Sequence, residues 1–251
     1  VKRRTKIWLG LLVGLLVLLA AGWGALQANT HQPTPAAVRA SRAAVRTDYG
    51  LAFKAKRPAG ASVIFYPGAL VAPASYSIWA KQLAEAGTTV YIVQFPLNLA
   101  VLSGNKADQV LRATKGPVVI GGHSLGGVMA ARYAKAHRTK RLAGVFFLAS
   151  YADTKGRLTK RGVPVLAAVA DHDRVLNWSA YRKAKANLPA QAQFVTLSGN
   201  HAGFGSYGKQ AGDGTSPVTN AAQQRAVAKT LHRWLTTRVG KAARIAGQAR
   251  H

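Results

Sequence analysis

From about residue 47 onward the chain alternates between two kinds of stretch: short, nearly unbroken apolar runs, and longer segments in which apolar residues recur every third or fourth position. The short runs are YGLAFKA (49–55), SVIFY (62–66), TVYIVQF (89–95), PVVIG (117–121), AGVFFLA (143–149), VPVLAAVA (163–170) and AQFVTLSG (192–199). They are rich in β-branched and aromatic residues and bounded by Gly, Pro, Asn or Ser, which predicts strands. The periodic segments predict helices over 75–87, near 105–114, and over 125–137, 178–187 and 220–238. In the last of these, Val227, Leu231, Trp234 and Leu235 fall on one stripe. A strand that is apolar at every residue has no face suited to water. Its alternation with helices therefore predicts an α/β protein: a doubly wound, mainly parallel sheet with helices on both faces.

The pattern differs at the N-terminus. Residues 7–26, IWLGLLVGLLVLLAAGWGAL, carry no charge. As a helix they would span about 30 Å, one hydrocarbon core. Trp8 and Trp23 stand near its ends, where indole rings favour the membrane interface, and the cations of VKRRTK ahead of it predict a cytoplasmic N-terminus. A cleaved signal peptide shares the basic start and apolar middle, and would leave a secreted protein, but this run is long for one and no clean Ala-x-Ala follows it. The expected organisation is a cytoplasmic tail at 1–6, a transmembrane helix at 7–26 and a small, polar, Pro-containing linker at 27–46. An extracellular α/β domain at 47–238 and a basic tail at 239–251 complete it.

Charge and composition narrow the partners. Lys and Arg number 35 against 7 Asp and Glu, a formal net charge of +28. Such a surface attracts anionic lipid or acidic wall polymer. The cations are dispersed, and the chain has no helix-turn-helix, zinc-finger or RNA-recognition signature, so specific nucleic-acid binding is not expected. Cysteine is absent, which excludes a disulfide framework, a thiol nucleophile and a Cys-ligated metal. No H-E-x-x-H or similar ligand spacing occurs, so neither metal nor cofactor is expected; the loop GDG (212–214) is the one place considered for a stabilising ion.

The densest chemical signal is VVIGGHSLGGVMAARYA (118–134). Within it Gly122-His123-Ser124-Leu125-Gly126 fits G-x-S-x-G between a predicted strand and a predicted helix. A chain turning that sharply holds its serine at a strained backbone angle, and Gly122 and Gly126 leave room for the turn. The helix behind it offers free N–H groups to an oxyanion, so Leu125 is one candidate donor. Ala69, beside Gly68 in FYPGAL after the strand 62–66, is the second, with Leu70 hard to separate from it. A serine hydroxyl needs a base, and the base an orienting acid. On this architecture they follow in the order Ser, acid, His. His201, just past the strand 192–199, is the candidate base. Asp171 and Asp173 both follow the strand 163–170; Asp173 is favoured as the acid, and Asp171 is the alternative, able instead to shape the turn through its side chain.

Taken together, VIFYPGALV, FPLNLAVLSGNKAD, the elbow, ASYAD, DHDRVLNW and GNHAGFGSYGKQAGDG make residues 47–238 resemble the α/β-hydrolase superfamily, and within it the small, lidless bacterial branch known as alpha/beta hydrolase fold-5. The resemblance implies nucleophile, acid and base at Ser124, Asp173 and His201. It departs at Asp173-Arg174, where the family often has Asp-Gly. It implies hydrolase chemistry without a fixed substrate. The segment between the strands 143–149 and 163–170 is too short for a helical cap, so an open esterase-like site is expected, with Tyr66, Tyr151 and Trp178 as candidate entrance residues. The expected activity is cleavage of carboxylic esters, on a small molecule or carried by a polymer, through an acyl-enzyme; thioesters and other acyl groups fit the same residues. The alternative is a catalytically idle hydrolase-fold module that binds anionic wall or membrane components.

Overall fold

The computed structural model describes residues 28–137 and 139–242, with scattered positions between 8 and 24. The expected anchor at 7–26 and the two basic tails fall largely outside the described residues. Among those that are described, no helix is long and apolar enough to cross a membrane.

Eight strands form one sheet among the described residues: β1 (Val45–Thr47), β2 (Gly50–Phe53), β3 (Ser62–Tyr66), β4 (Val90–Val93), β5 (Val118–His123), β6 (Leu142–Leu148), β7 (Val165–Ala170) and β8 (Gln193–Leu197), in the order β1-β2-β4-β3-β5-β6-β7-β8. β1 and β2 pair antiparallel, β2 runs antiparallel to β4, and the rest of the sheet is parallel. The helices are α1 (Pro35–Ser41), α2 (Ser77–Glu85), α3 (Ala107–Ala113), α4 (Leu125–Ala136), α5 (Trp178–Ala184) and α6 (Asn220–Trp234).

Alternating residues on each strand feed two cores, which is why the runs read as continuously apolar. On one face Val63 and Phe65 of β3, Ile92 of β4 and Phe146 of β6 pack with Trp79 and Leu83 of α2 and with Val227, Leu231 and Trp234 of α6. On the other, Ile64 and Tyr66, Tyr91 and Val93, and Val145 and Phe147 pack with Val110 of α3, Ala130 and Tyr133 of α4 and Tyr181 of α5. The stripe expected on the last helix is buried, and beyond Trp234 the chain continues in a wider π turn, Leu235–Val239.

Residues 27–46, expected as a linker, are folded from residue 28 on. His31 makes a parallel bridge to Val71, Pro35–Ser41 is a helix capped by Thr34, and Val45–Thr47 adds β1 to the sheet edge. Their contacts are mostly backbone hydrogen bonds, which leave no hydrophobic period to read. Between β6 and β7 there is only a 3-10 turn, Thr154–Gly156, so no helical cap covers this end of the sheet.

The chain order reverses at β3: from there β4 lies to one side and β5 to the other. In open α/β sheets the crevice at the carboxyl ends of such a switch point is where ligands bind. The loops following β3 and β5 open there.

Candidate active site

Ser124 sits at the carboxyl end of β5, immediately before α4, with φ 49° and ψ −127°. A non-glycine residue held there carries about 1–3 kcal/mol of strain, tolerated where the surroundings over-determine it. The surroundings here are backbone. A Cβ on Gly126 would stand 2.2 Å from the carbonyl oxygens of Tyr66 and Pro67, and one on Gly122 would stand 2.5 Å from the carbonyl carbon of Gly126. The corner is therefore pressed against the end of β3 at Gly126, and the start of α4 is pressed back onto β5 at Gly122. Ser124 N–H donates to Leu148 O at 3.1 Å, and the Ser150 hydroxyl donates to Ser124 O at 2.6 Å, holding the turn from the β6 side.

His201 and Asp173 form a buried pair, 1% and 4% exposed. His201 Nδ1 and Asp173 Oδ2 are 2.8 Å apart. The other carboxylate oxygen, Oδ1, accepts from Val175 N–H at 2.9 Å and Leu176 N–H at 2.8 Å, so the acid cannot swing away from the ring. A carboxylate only accepts hydrogen bonds; the imidazole therefore presents a proton on Nδ1 to Asp173, leaving Nε2 as the ring nitrogen not engaged by the acid. Asp171 lies elsewhere. It accepts from Gly199 N–H and from His172 Nδ1, both at 2.9 Å, and its pKa is lowered, first by the His172 contact and then by Gly199. Its geometry is that of a turn-shaping residue tying the ends of β7 and β8.

Ser124 and His201 line one cavity of about 220 Å3, together with Leu125, Val128, Tyr151 and Leu176. No hydrogen bond closes between the Ser124 hydroxyl and His201. Such bonds commonly tighten only when a substrate aligns them. Of the three aromatic residues expected at the entrance, only Tyr151 borders this cavity. Tyr66 is wholly buried, donating to Gly104 O at 2.6 Å and accepting from Ala107 N–H at 3.1 Å, and Trp178 Nε1 donates to Asp173 O at 2.9 Å. Their large apolar bodies are used for packing, with each polar tip paired. A larger cavity of about 780 Å3 opens at the amino ends of the parallel strands, beside Lys54, Lys56, Arg57 and Lys81. No serine, threonine or histidine lines it.

The two oxyanion candidates differ from their neighbours in hydrogen bonding. Leu70 N–H donates to Asn98 O at 2.9 Å, whereas the N–H groups of Ala69 and Leu125 meet no acceptor among the described residues. The loop of Ala69 is backed by a buried chain of hydrogen bonds: Gly68 N–H donates to the Tyr76 hydroxyl at 2.9 Å, and that hydroxyl shares a hydrogen bond of 2.9 Å with His123 Nδ1. The His123 ring centroid is 4.5 Å from that of His201. Burial, reinforced by His201 nearby, pushes the His123 pKa well below its usual value, which favours the neutral ring between the Ala69 loop and His201.

Asp213, which the sequence suggested only as part of a loop for a stabilising ion, has backbone partners that the sequence did not reveal. Its Oδ1 accepts from Arg174 N–H at 3.3 Å, His201 N–H at 3.3 Å and Gly214 N–H at 2.8 Å, and its Oδ2 from Ala202 N–H at 2.8 Å. It thus clips the turn after Asp173 to the loop of His201. The signal available was scarcity, since an acid in a loop of so basic a chain invites a specific partner. Its oxygens are occupied by amide protons, and among the described residues no cluster of metal-binding side chains occurs.

A serine raised on a strained strand-to-helix corner, at the switch point of a doubly wound sheet, has the backbone geometry of the strand–turn–helix corner found in α/β-hydrolases. The chain belongs to the alpha/beta hydrolase family, whose model matches residues 62–225. A comparison with curated proteins returned no significant match. Among solved structures it is similar to a ferulic acid esterase from Streptomyces cinnamoneus, at 18% identity and TM-score 0.58 over 73% of this chain and 68% of that one. It is also similar to the esterase domain of a Rhodothermus marinus protein, at 14% identity and TM-score 0.55 over 73% and 89%. A pyrethroid hydrolase aligns at 16% identity and TM-score 0.54 over 71% and 98%. At these identities the likeness is one of fold.

Proposed function

We propose that this protein is a serine hydrolase that cleaves carboxylic esters through an acyl-enzyme, with Ser124 as nucleophile, His201 as general base and acid, and Asp173 as its orienting acid. The observation that carries the reading is the buried Asp173–His201 pair, whose histidine lines the same small cavity as Ser124. His201 Nε2 takes the Ser124 proton as Oγ attacks the ester carbonyl. The N–H groups of Leu125 and Ala69 receive the oxyanion, and the new imidazolium is steadied by Asp173. His201 then protonates the departing alcohol, and the acyl-enzyme is released when the same nitrogen activates water.

The cavity is small beside common ligand pockets of roughly 300–1,000 Å3 and has no helical cap, which supports compact acyl groups over long lipid chains. Thioesters fit the same residues. The apolar segment 7–26 supports a membrane-anchored enzyme acting outside the cell, and the net charge of +28 favours an anionic lipid or wall polymer as its surroundings.

The test is a panel of activated esters from acetate to octanoate, with fluorophosphonate labelling. We expect hydrolysis fastest at the short end, labelling at Ser124, and loss of both in Ser124→Ala with an unchanged melting temperature. Full activity in that variant, or no labelling of the native chain, rejects the assignment and leaves the idle binding module.

A further inference from the structure

The segment leading into α1 connects the two loops on which the proposed chemistry depends. His31 N–H donates to Leu70 O at 2.7 Å, and Ala72 N–H donates to His31 O at 3.0 Å, so the segment runs beside the loop that carries Ala69. Three residues later it reaches the loop that follows His201: Thr34 N–H donates to Ser206 O at 2.8 Å, and the hydroxyls of Thr34 and Ser206 are 2.7 Å apart. Ser206 is 1% exposed, and its own N–H donates to Ser75 O at 2.7 Å. Between these two attachments the His31 ring lies 5.0 Å from that of Tyr207. Thr34 also accepts from Ala37 N–H at 3.3 Å, which anchors the far end of the segment in α1.

Both attached loops need outside support. Leu70 has φ 55°, in the left-handed region that side chains disfavour. His201 and Ala69 lie far apart in sequence, yet an oxyanion donor and a general base must keep one spacing within a fraction of an ångström to act on the same carbonyl. A four-residue segment bonded to one loop at each end is a device for keeping that spacing.

We propose that residues 31–34 are a strap that sets the spacing of the Ala69 loop from the His201 loop, and that His31 and Thr34 are positioning residues for the reaction. The catalytic meaning rests on the hydrolase reading above; the strap itself rests on the hydrogen bonds. In this view the segment before the domain is part of the support of the active site.

The experiment uses the full chain and four variants: Thr34→Val, Thr34→Ser, Ser206→Ala, and a double variant that combines Thr34→Val with Ser206→Ala. Two readouts are taken, amide hydrogen exchange at 67–72 and 201–207, and kcat and KM for a p-nitrophenyl ester. Thr34→Val and Ser206→Ala should each lower kcat about tenfold with KM nearly unchanged, a fraction of the 100-fold that misplacing a reacting group can cost. Exchange should rise in both loops, although neither substitution touches 67–72 directly. Thr34→Ser should restore both readouts, and the double variant should be no worse than either single one, because one bond is lost in all three. Ser206→Ala leaves the α1 cap in place, so helix fraying cannot account for its effect. Unchanged exchange at 67–72, or losses that follow only the melting temperature and are not rescued by serine, would overturn the strap. If the native chain neither hydrolyses esters nor takes up a fluorophosphonate, the hydrolase reading fails while the exchange data still decide the strap.

Discussion

Asp171 and Asp173 are two positions apart, yet one carboxylate is buried against the His201 ring and two amides while the other is exposed and meets its neighbour His172 and Gly199 N–H. Asp173→Asn should therefore lower kcat on the order of 10³–10⁴-fold, since an amide can present its N–H to Nδ1 and select the wrong tautomer. Asp171→Asn should cost less than about threefold; steady-state kinetics on one ester separates the two. His123 yields a pH prediction. Unfolded, it titrates near 6.5; folded, burial holds it well below that. Between those values the unfolded chain binds more protons, so the contribution to stability is complete above about pH 6.5 and declines as pH falls. His123→Asn should flatten the melting temperature between about pH 6.5 and 5. Asp171, with its lowered pKa, acts in a separate window, below about pH 4. The positions of Ser124, Asp173 and His201 were legible because each closely follows an apolar run. The contacts of Asp213 and Tyr76 were not, because they reach across the chain to backbone groups and leave no local pattern.

At the scale of elements, the corner between β5 and α4 depends on what its glycines lack. Gly126→Ala would drive a methyl group into the carbonyls of Tyr66 and Pro67. We expect it to destabilise the fold by about 3 kcal/mol in urea titrations. Gly60→Ala, at φ 75° with open space around it, should cost only about 1 kcal/mol. Strands and helices from β2 onward were readable because nearly every strand is buried on both faces, so composition alone marks them. Their ends shifted by a few residues, as at the start of α2, where Pro73–Tyr76 form a separate 3-10 turn. The stretch 28–47 escaped because its attachment is made by Thr, Ser, His and backbone amides. Those are also the residues of a free tether, and only their partners distinguish the two.

At the scale of the whole molecule, the sheet ends in two unlike edges. On one side β8 leaves Phe194 43% exposed, with Lys185 Nζ lying 4.7 Å from the centre of its ring, and a charge so placed discourages a neighbour. On the other side β1 is the outermost strand, its Val45, Arg46 and Thr47 lying opposite Ala52, Leu51 and Gly50 of β2. A protein clipped after Thr47 would lose that cover, and the bared backbone of a wholly buried, apolar strand would be open to pairing with another molecule. Light scattering should then show slow, concentration-dependent growth of particles from the clipped form and none from the intact one. Any shortened version made for crystallisation or assay would have to begin ahead of Val45 to keep that edge covered.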